Sequence, residues 1–271
     1  MRQSTLEIMC CPTCHSTLSL NAKTDNGNVL DGTLDCPTCD RNYPIRDGIV
    51  HFIDPGELEG QNQRFSRYYD RLAPFYSMFI KFALLPFGGE RKAREEILEH
   101  LNLDGGRVLE VSIGNGVNLP YLFETSNASE VFGIDISIGM LSRCTKFTKK
   151  RGWQVDLSLA EAEALPFRPE TFDKVLHIGG INFFSNKKQA IDEMIRVTRP
   201  GGKIVIADEV ERLAKQVDRS AGQTSRPPTD GAIETTINDL VPDEMKGIRM
   251  DGIWKGHGKY HGYCLAFNKP P

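Results

Sequence analysis

Arg107-Val108-Leu109-Glu110-Val111-Ser112-Ile113-Gly114-Asn115-Gly116-Val117-Asn118-Leu119 is the stretch that decides the fold. An apolar run of strand character ends on an acid, turns on glycines and leaves with helical periodicity. Strand, glycine loop and helix in that order build a nucleotide site in an open α/β sheet. Two details choose the ligand. The third glycine of a dinucleotide fingerprint, needed where helix and strand pack close, would fall at Leu119 and is missing. Glu110 stands where its charge repels a pyrophosphate but favours a cation. The loop therefore expects a cationic cofactor without phosphates.

Downstream, Val131-Phe-Gly-Ile-Asp135 is a second apolar strand whose terminal carboxylate lies 25 residues after Glu110, near the spacing at which an acid accepts both ribose hydroxyls. Ser137 is placed to cap the helix that follows, with Met140 beside the expected base. Leu157–Phe167, Phe172–His177 and Met194–Ile206 supply further strand and helix patterns, the last turning on Pro200-Gly201-Gly202. Two late strands are expected around Gly247–Trp254 and Tyr260–Phe267. The unpatterned stretch between, holding Arg226-Pro-Pro-Thr-Asp-Gly, reads as a lid.

Ahead of the sheet, Gln61–Asp70, Pro74–Leu85 and Glu90–Leu101 carry apolar residues at helical spacing. Further forward, Cys11-Pro-Thr-Cys14 and Cys36-Pro-Thr-Cys39 are separated by 21 residues containing Asn26-Gly27 and Asp31-Gly32 turns. Each Cys-x-x-Cys turn presents two thiolates on one side, and two such turns complete the tetrahedron that zinc accepts. With all four positions filled the site is structural. A segment this short needs the metal to fold. Cys10 lacks a partner at matching spacing and is read as a spare. The chain thus divides into a zinc ribbon over 1–57, linking helices over 58–103 and an α/β domain over 104–271.

Composition bounds the rest. The 271 residues are 39% hydrophobic with a formal charge of -3, so nothing global argues for a polyanionic partner, and a nucleic acid is disfavoured. The basic run Arg143–Arg151 reads as a solvated helix face. No apolar run approaches the roughly 20 residues of a membrane span, and the N-terminus lacks the apolar core of a secretory signal. A cytoplasmic location and a reduced cysteine set are the expectation.

Several of these motifs resemble known families. Cys-Pro-x-Cys, the second Cys-x-x-Cys and Tyr43-Pro-Ile-Arg-Asp-Gly-Ile49 look like the zinc-ribbon proteins that activate methyltransferases, which implies a protein contact through the ribbon. Tyr69-Asp-Arg-Leu-Ala-Pro-Phe-Tyr76, Ala160-Glu-Ala-Glu-Ala-Leu-Pro-Phe167, Phe172-Asp-Lys-Val175 and Arg199-Pro-Gly-Gly202 resemble the ubiquinone/menaquinone-type methyltransferases. That resemblance implies a class I Rossmann-like sheet, mostly parallel with an antiparallel last strand, binding S-adenosylmethionine and methylating a small quinone, phenol or lipid-like acceptor. It further implies that Glu161 accepts the adenine amino group, that Ala162 offers its amide, and that Tyr69 and Tyr76 close over the cofactor. The cofactor-binding set is then Glu110, Ser112, Gly114, Asn115, Gly116, Asn118, Asp135, Ile136, Met140, Glu161, Ala162, His177, Tyr69 and Tyr76. Ser112 stands where the family usually has glycine. For a base, His177 ranks ahead of His257 and His261, and Asn182 and Phe183 are further candidates beside it. An RNA methyltransferase and a cofactor-binding scaffold without turnover are the alternatives.

Overall fold

Alternating short apolar runs and turn residues at the N-terminus form four short strands, β1 (Ser19–Ala22), β2 (Gly32–Cys36), β3 (Arg41–Arg46) and β4 (Ile49–His51), joined antiparallel in sequence order. Three helices follow, α1 (Gly60–Leu72), α2 (Tyr76–Leu84) and α3 (Glu90–Leu98). The α/β portion then runs β5 (Gly106–Val111), α4 (Leu119–Thr125), β6 (Ala128–Asp135), α5 (Ile138–Arg151), β7 (Val155–Leu159), β8 (Phe172–Ile178), α6 (Lys187–Val197), β9 (Thr198–Glu209), β10 (Lys246–Gly256) and β11 (Lys259–Asn268). This computed structural model describes residues 1–102, 105–125, 128–210, 236–256 and 258–271. The lid reading after Asp208 falls mostly, and His257 wholly, outside them.

Strand order is β1-β2-β3-β4-β7-β6-β5-β8-β9-β11-β10. β4 through β9 pair in parallel, and the β10–β11 hairpin closes the edge antiparallel to β9. The order reverses between β5 and β8, which is where an open α/β sheet binds its ligand, outside the carboxyl ends of the strands. β5, β8 and β9 hold Leu109, Val111, Val175, Ile204 and Ile206 fully buried, as a parallel sheet covered on both faces requires.

The zinc ribbon is no appendage. Val50 and His51 pair with Ser158 and Leu159, so one sheet crosses the boundary read after residue 57. Leu34, Tyr43, Ile45 and Phe52 share a hydrophobic cluster with Leu109, Phe132 and Phe167. Asp156, buried at the seam, accepts hydrogen bonds from the Arg2 amide (2.8 Å), Arg2 Nε (2.6 Å) and Thr5 Oγ1 (2.5 Å).

Helix ends follow local chemistry. Ser137 Oγ accepts from the Met140 amide and starts α5, and Gly152, at φ 68°, ends it with a left-handed cap. Arg143, Lys146, Lys149 and Lys150 lie on its exposed face, as the charge run implied.

Candidate functional site

The four metal-type cysteines converge as their spacing required. The Sγ atoms of Cys11, Cys14, Cys36 and Cys39 all lie within 4.8 Å of one another, with Cys11–Cys39 at 3.5 Å and Cys14–Cys36 at 3.4 Å. A zinc ion bound at 2.3 Å to each sulfur of a tetrahedron separates the sulfurs by about 3.8 Å, so the cluster fits the ion. Tyr43 Oη sits 3.1 Å from Cys11 Sγ and orients it. Cys10 stays out: it is buried and its thiol is pushed up to about 11 by that burial.

The second site forms where β5, β6 and β8 end. After Val111 the chain needs a left-handed residue, and Ser112 supplies it at φ 60°, a conformation glycine adopts without the cost a side chain incurs. Gly114, at φ 57°, has open space where a Cβ would stand, whereas a Cβ on Gly116 would meet Leu119 and Cys144 at 2.8 and 2.9 Å. One glycine thus leaves room for a ligand, and the other lets the loop pack against the start of α4 and the side of α5. Asp135 at the tip of β6 ties the loops together: its Oδ2 accepts from the Gly114 amide at 2.8 Å and its Oδ1 from the Ser137 amide at 2.9 Å. Burial raises its carboxyl to about 6, with those amides opposing the rise.

Ser112, Gly114, Asp135, Ile136, Met140 and the phenols Tyr69 and Tyr76 line a narrow crevice. Phe65 and Phe183, stacked with centroids 4.2 Å apart, form part of its wall. The crevice shares Tyr69, Tyr76, Gly179 and Gly180 with a larger cleft, walled by Tyr68, Phe79, Ile80, Trp254 and Glu209. Among the described lining residues of both, the acids are Asp135 and Glu209 and the base is Arg94. Arg94 is occupied, donating to Glu90 Oε1 at 3.2 Å and to Asn118 Oδ1.

The remaining expected residues take other stations. Glu110 is fully buried beneath the loop and off the crevice wall. Asn118 donates to its Oε1, Oε2 has no partner, and burial pushes its carboxyl up to about 8. Asn115 donates to Ser77 Oγ at 2.7 Å, and its buried Oδ1 has no partner. Asn118 reaches the outer cleft. Glu161 accepts from Asn62 Nδ2 at 2.7 Å, and Ala162 is buried; neither lines the crevice.

His177, ranked first as a base, faces away from both clefts. Strand alternation sends Ile178 to the crevice and His177 into the core, where Nδ1 donates to the Val111 carbonyl at 3.0 Å. Burial lowers its pKa to about 4, and its Nε2 is buried without a partner. His261 lies tilted against Phe87, 5.1 Å between centroids. Asn182 donates through its amide to Asp208 Oδ2 at 3.1 Å, and Phe183 is on the crevice wall.

Sequence reading passed over four residues that matter. Asp70 Oδ1 accepts from Ser137 Oγ at 2.6 Å and from the Gly139 amide at 2.8 Å, tying α1 to the start of α5. Asn62 bridges Glu161, Glu163 and the Ser185 amide. Asp208, fully buried, accepts from the Gly180, Asn182 and Glu209 amides and shapes the turn after β8. Glu209 turns toward the cleft, where burial and then the Asp208 charge push its carboxyl up to about 8. The signal for the last pair was the acidic doublet at the carboxyl end of an apolar strand.

Comparison with known proteins follows the same division. A methyltransferase-domain model matches residues 109–206 and a Trm112p-like model matches residues 2–48. The chain is 32% identical over 171 residues to a ubiquinone/menaquinone biosynthesis C-methyltransferase of Geobacter sulfurreducens, covering 59% of this chain and 66% of that one. A relative of the same description from Syntrophotalea carbinolica is 30% identical, over 72% of this chain and 84% of its own length. A phosphatidylethanolamine N-methyltransferase of Cereibacter sphaeroides is 34% identical over 54% and 68%. The first relatives are matched over 66%, 56% and 68% of their own length, so the chain spans about two thirds of them or less. In fold, a chain from the complex that holds the Haloferax volcanii Trm112 methyltransferase activator superposes with a TM-score of 0.54 at 14% identity, over 75% of this chain and 98% of that one.

Proposed function

The chain belongs to the ubiquinone/menaquinone-type, S-adenosylmethionine-dependent methyltransferase family, and from that premise we propose that it transfers a methyl group to a small, apolar acceptor seated in the aromatic cleft. The observation that carries this reading is the junction of the Asp135 crevice with that cleft at Tyr69, Tyr76 and Gly180. Open space over Gly114 fits a ligand bearing an amino-acid end, and Asp135 fits a ribose.

When bound, S-adenosylmethionine supplies a methyl already activated by its positive sulfur, so the protein's work is alignment and exclusion of water. Phe65, Tyr69, Tyr76 and Phe183 do the excluding. Glu161 and Ala162 are assigned to the adenine side on family grounds alone, since Asn62 holds Glu161 outside the crevice lining. Glu209 is the carboxylate at the acceptor's position and takes a proton where the accepting atom must lose one. A cleft with Arg94 as its one described base suits an apolar acceptor better than a nucleic acid. The four thiolates suit a structural zinc and a reducing compartment such as the cytoplasm.

Calorimetric titration with S-adenosylmethionine and S-adenosylhomocysteine, with Asp135→Ala as control, tests the reading. Binding that the substitution abolishes supports it. Absence of binding by folded, zinc-replete protein overturns it.

A further inference from the structure

Helix α2 is apolar on two faces. Tyr76, Ile80 and Leu84 turn toward the aromatic cleft. On the other side Phe75, Met78, Phe82 and Leu85, at spacings of three and four residues, stand 61%, 56%, 65% and 61% exposed. Phe79, 56% exposed, belongs to both faces and joins the outer stripe to the cleft mouth. These five make up most of the exposed large hydrophobic residues among the described residues, gathered on under four turns. A helix that is apolar all round is stable only where both sides are removed from water, and a contiguous exposed patch of this kind marks a docking surface.

The surroundings select the occupant. No acid occurs between Asp70 and Glu90, while Arg71, Lys81 and Lys92, near the stripe in sequence, are exposed. In the following helix Glu90 pairs with Arg94 and Glu95 with Arg91, while Glu96 accepts from the Trp254 amide at 3.4 Å. The tip of the β10–β11 hairpin lies against the same region, with Gly256 next to the Phe87 ring, and it adds exposed Lys255 over the ring of half-exposed Tyr260. A second copy of the chain would set these cations against their own kind. Residues 211–235 carry no aromatic residue and only Leu213, Val217 and Ile233 as large aliphatics. Apolar and aromatic side chains within a cationic rim match an interface of acyl chains beneath anionic headgroups.

We propose that α2, the turn Leu85–Phe87 and the β10–β11 hairpin tip form a surface that docks on a bilayer with anionic headgroups, so that the acceptor cleft opens onto the membrane. Phe75, Met78, Phe82 and Leu85 enter the headgroup–acyl boundary, and Arg71, Lys81, Lys92 and Lys255 stay at headgroup level. Among the described residues no helix is long and apolar enough to cross a membrane, so the attachment is peripheral. The inference extends the reading of a lipid-like acceptor, and its test needs neither acceptor nor cofactor.

The test is cosedimentation of the full, zinc-replete chain with vesicles of phosphatidylcholine and phosphatidylglycerol in equal parts, and with vesicles of phosphatidylcholine alone. Wild type is expected to partition at least about tenfold more strongly than Met78→Glu/Phe82→Glu, and several-fold more strongly onto the anionic vesicles than onto the neutral ones. Thermal unfolding followed by circular dichroism checks that the double variant is folded. Lys81→Glu/Lys255→Glu, which leaves the apolar stripe intact, is expected to lose the anionic preference. Equal partitioning of wild type and the folded Met78→Glu/Phe82→Glu variant overturns the surface, as does absence of wild type from both pellets. Equal binding to the two vesicle types overturns the anionic headgroup. Light scattering that shows a wild-type dimer, monomeric in the variant and absent from vesicles, assigns the stripe to a second copy and overturns the membrane.

Discussion

Acidification will weaken cofactor binding through Asp135, and the structure sets the size of the effect. The two Asp135 oxygens are already divided between the Gly114 and Ser137 amides, so a proton on either must break one of those bonds and remove an acceptor from the ribose position. Burial places the carboxyl near 6, well within reach of ordinary buffers. One unit below that value about ten molecules in eleven hold the proton, and affinity for S-adenosylmethionine falls about tenfold, or ~1.4 kcal/mol. Calorimetric titrations from pH about 8 down to about 5, on wild type and Asp135→Asn in parallel, measure it. The variant removes the titrating group, so its weaker affinity should be flat over the range once the cofactor's own ionisation, common to both, is subtracted. A wild-type affinity that does not change across the range, or that falls with the same slope in the variant, would refute the assignment of Asp135.

Cofactor-free stability should fall as pH rises, because burial holds Glu110, Asp135, Asp208 and Glu209 up at about 8, 6, 6 and 8. Their contribution is complete below the unfolded carboxyl range and is lost as pH climbs through 6 to 8; thermal melts across that window check it, and a rising midpoint contradicts it. Removing the metal with a chelator should unfold ribbon and α/β portion together, since β4 pairs with β7, giving loss of near-ultraviolet circular dichroism from both. Survival of a separately melting α/β domain would break that expectation. Asp156→Ala removes three hydrogen bonds at the seam and should cost about 3 kcal/mol in denaturant unfolding. His177→Ala should lower stability by about 2 kcal/mol while cofactor affinity and the pH profile of turnover stay put. Loss of turnover at unchanged stability and affinity would restore His177 to the chemistry.

Local chemistry made much of this legible. A Cys-x-x-Cys pair carries its meaning within four residues, and a glycine loop after an apolar strand carries its own, because backbone approach and turn geometry are decided by the residues themselves. Ser137 as the cap of α5 was readable for the same reason, whereas the antiparallel last strand was implied by the family resemblance. His177 was not. Its ranking rested on its place at a strand end, and one step of alternation decides whether such a residue meets the ligand or the core.

The sequence by itself determined the class of sheet, the cysteine cluster and the glycine loop after β5, since each is written in contiguous residues whose spacing is the message. Tertiary structure alone decided how they join. It merged the ribbon with the main sheet through β4 and β7, set Asp70 of α1 on the start of α5, and brought Glu209 to the cleft shared with Tyr69 and Tyr76. Those contacts link residues far apart in the chain, and they are selected by the closing of the whole core, for which no single segment carries the signal.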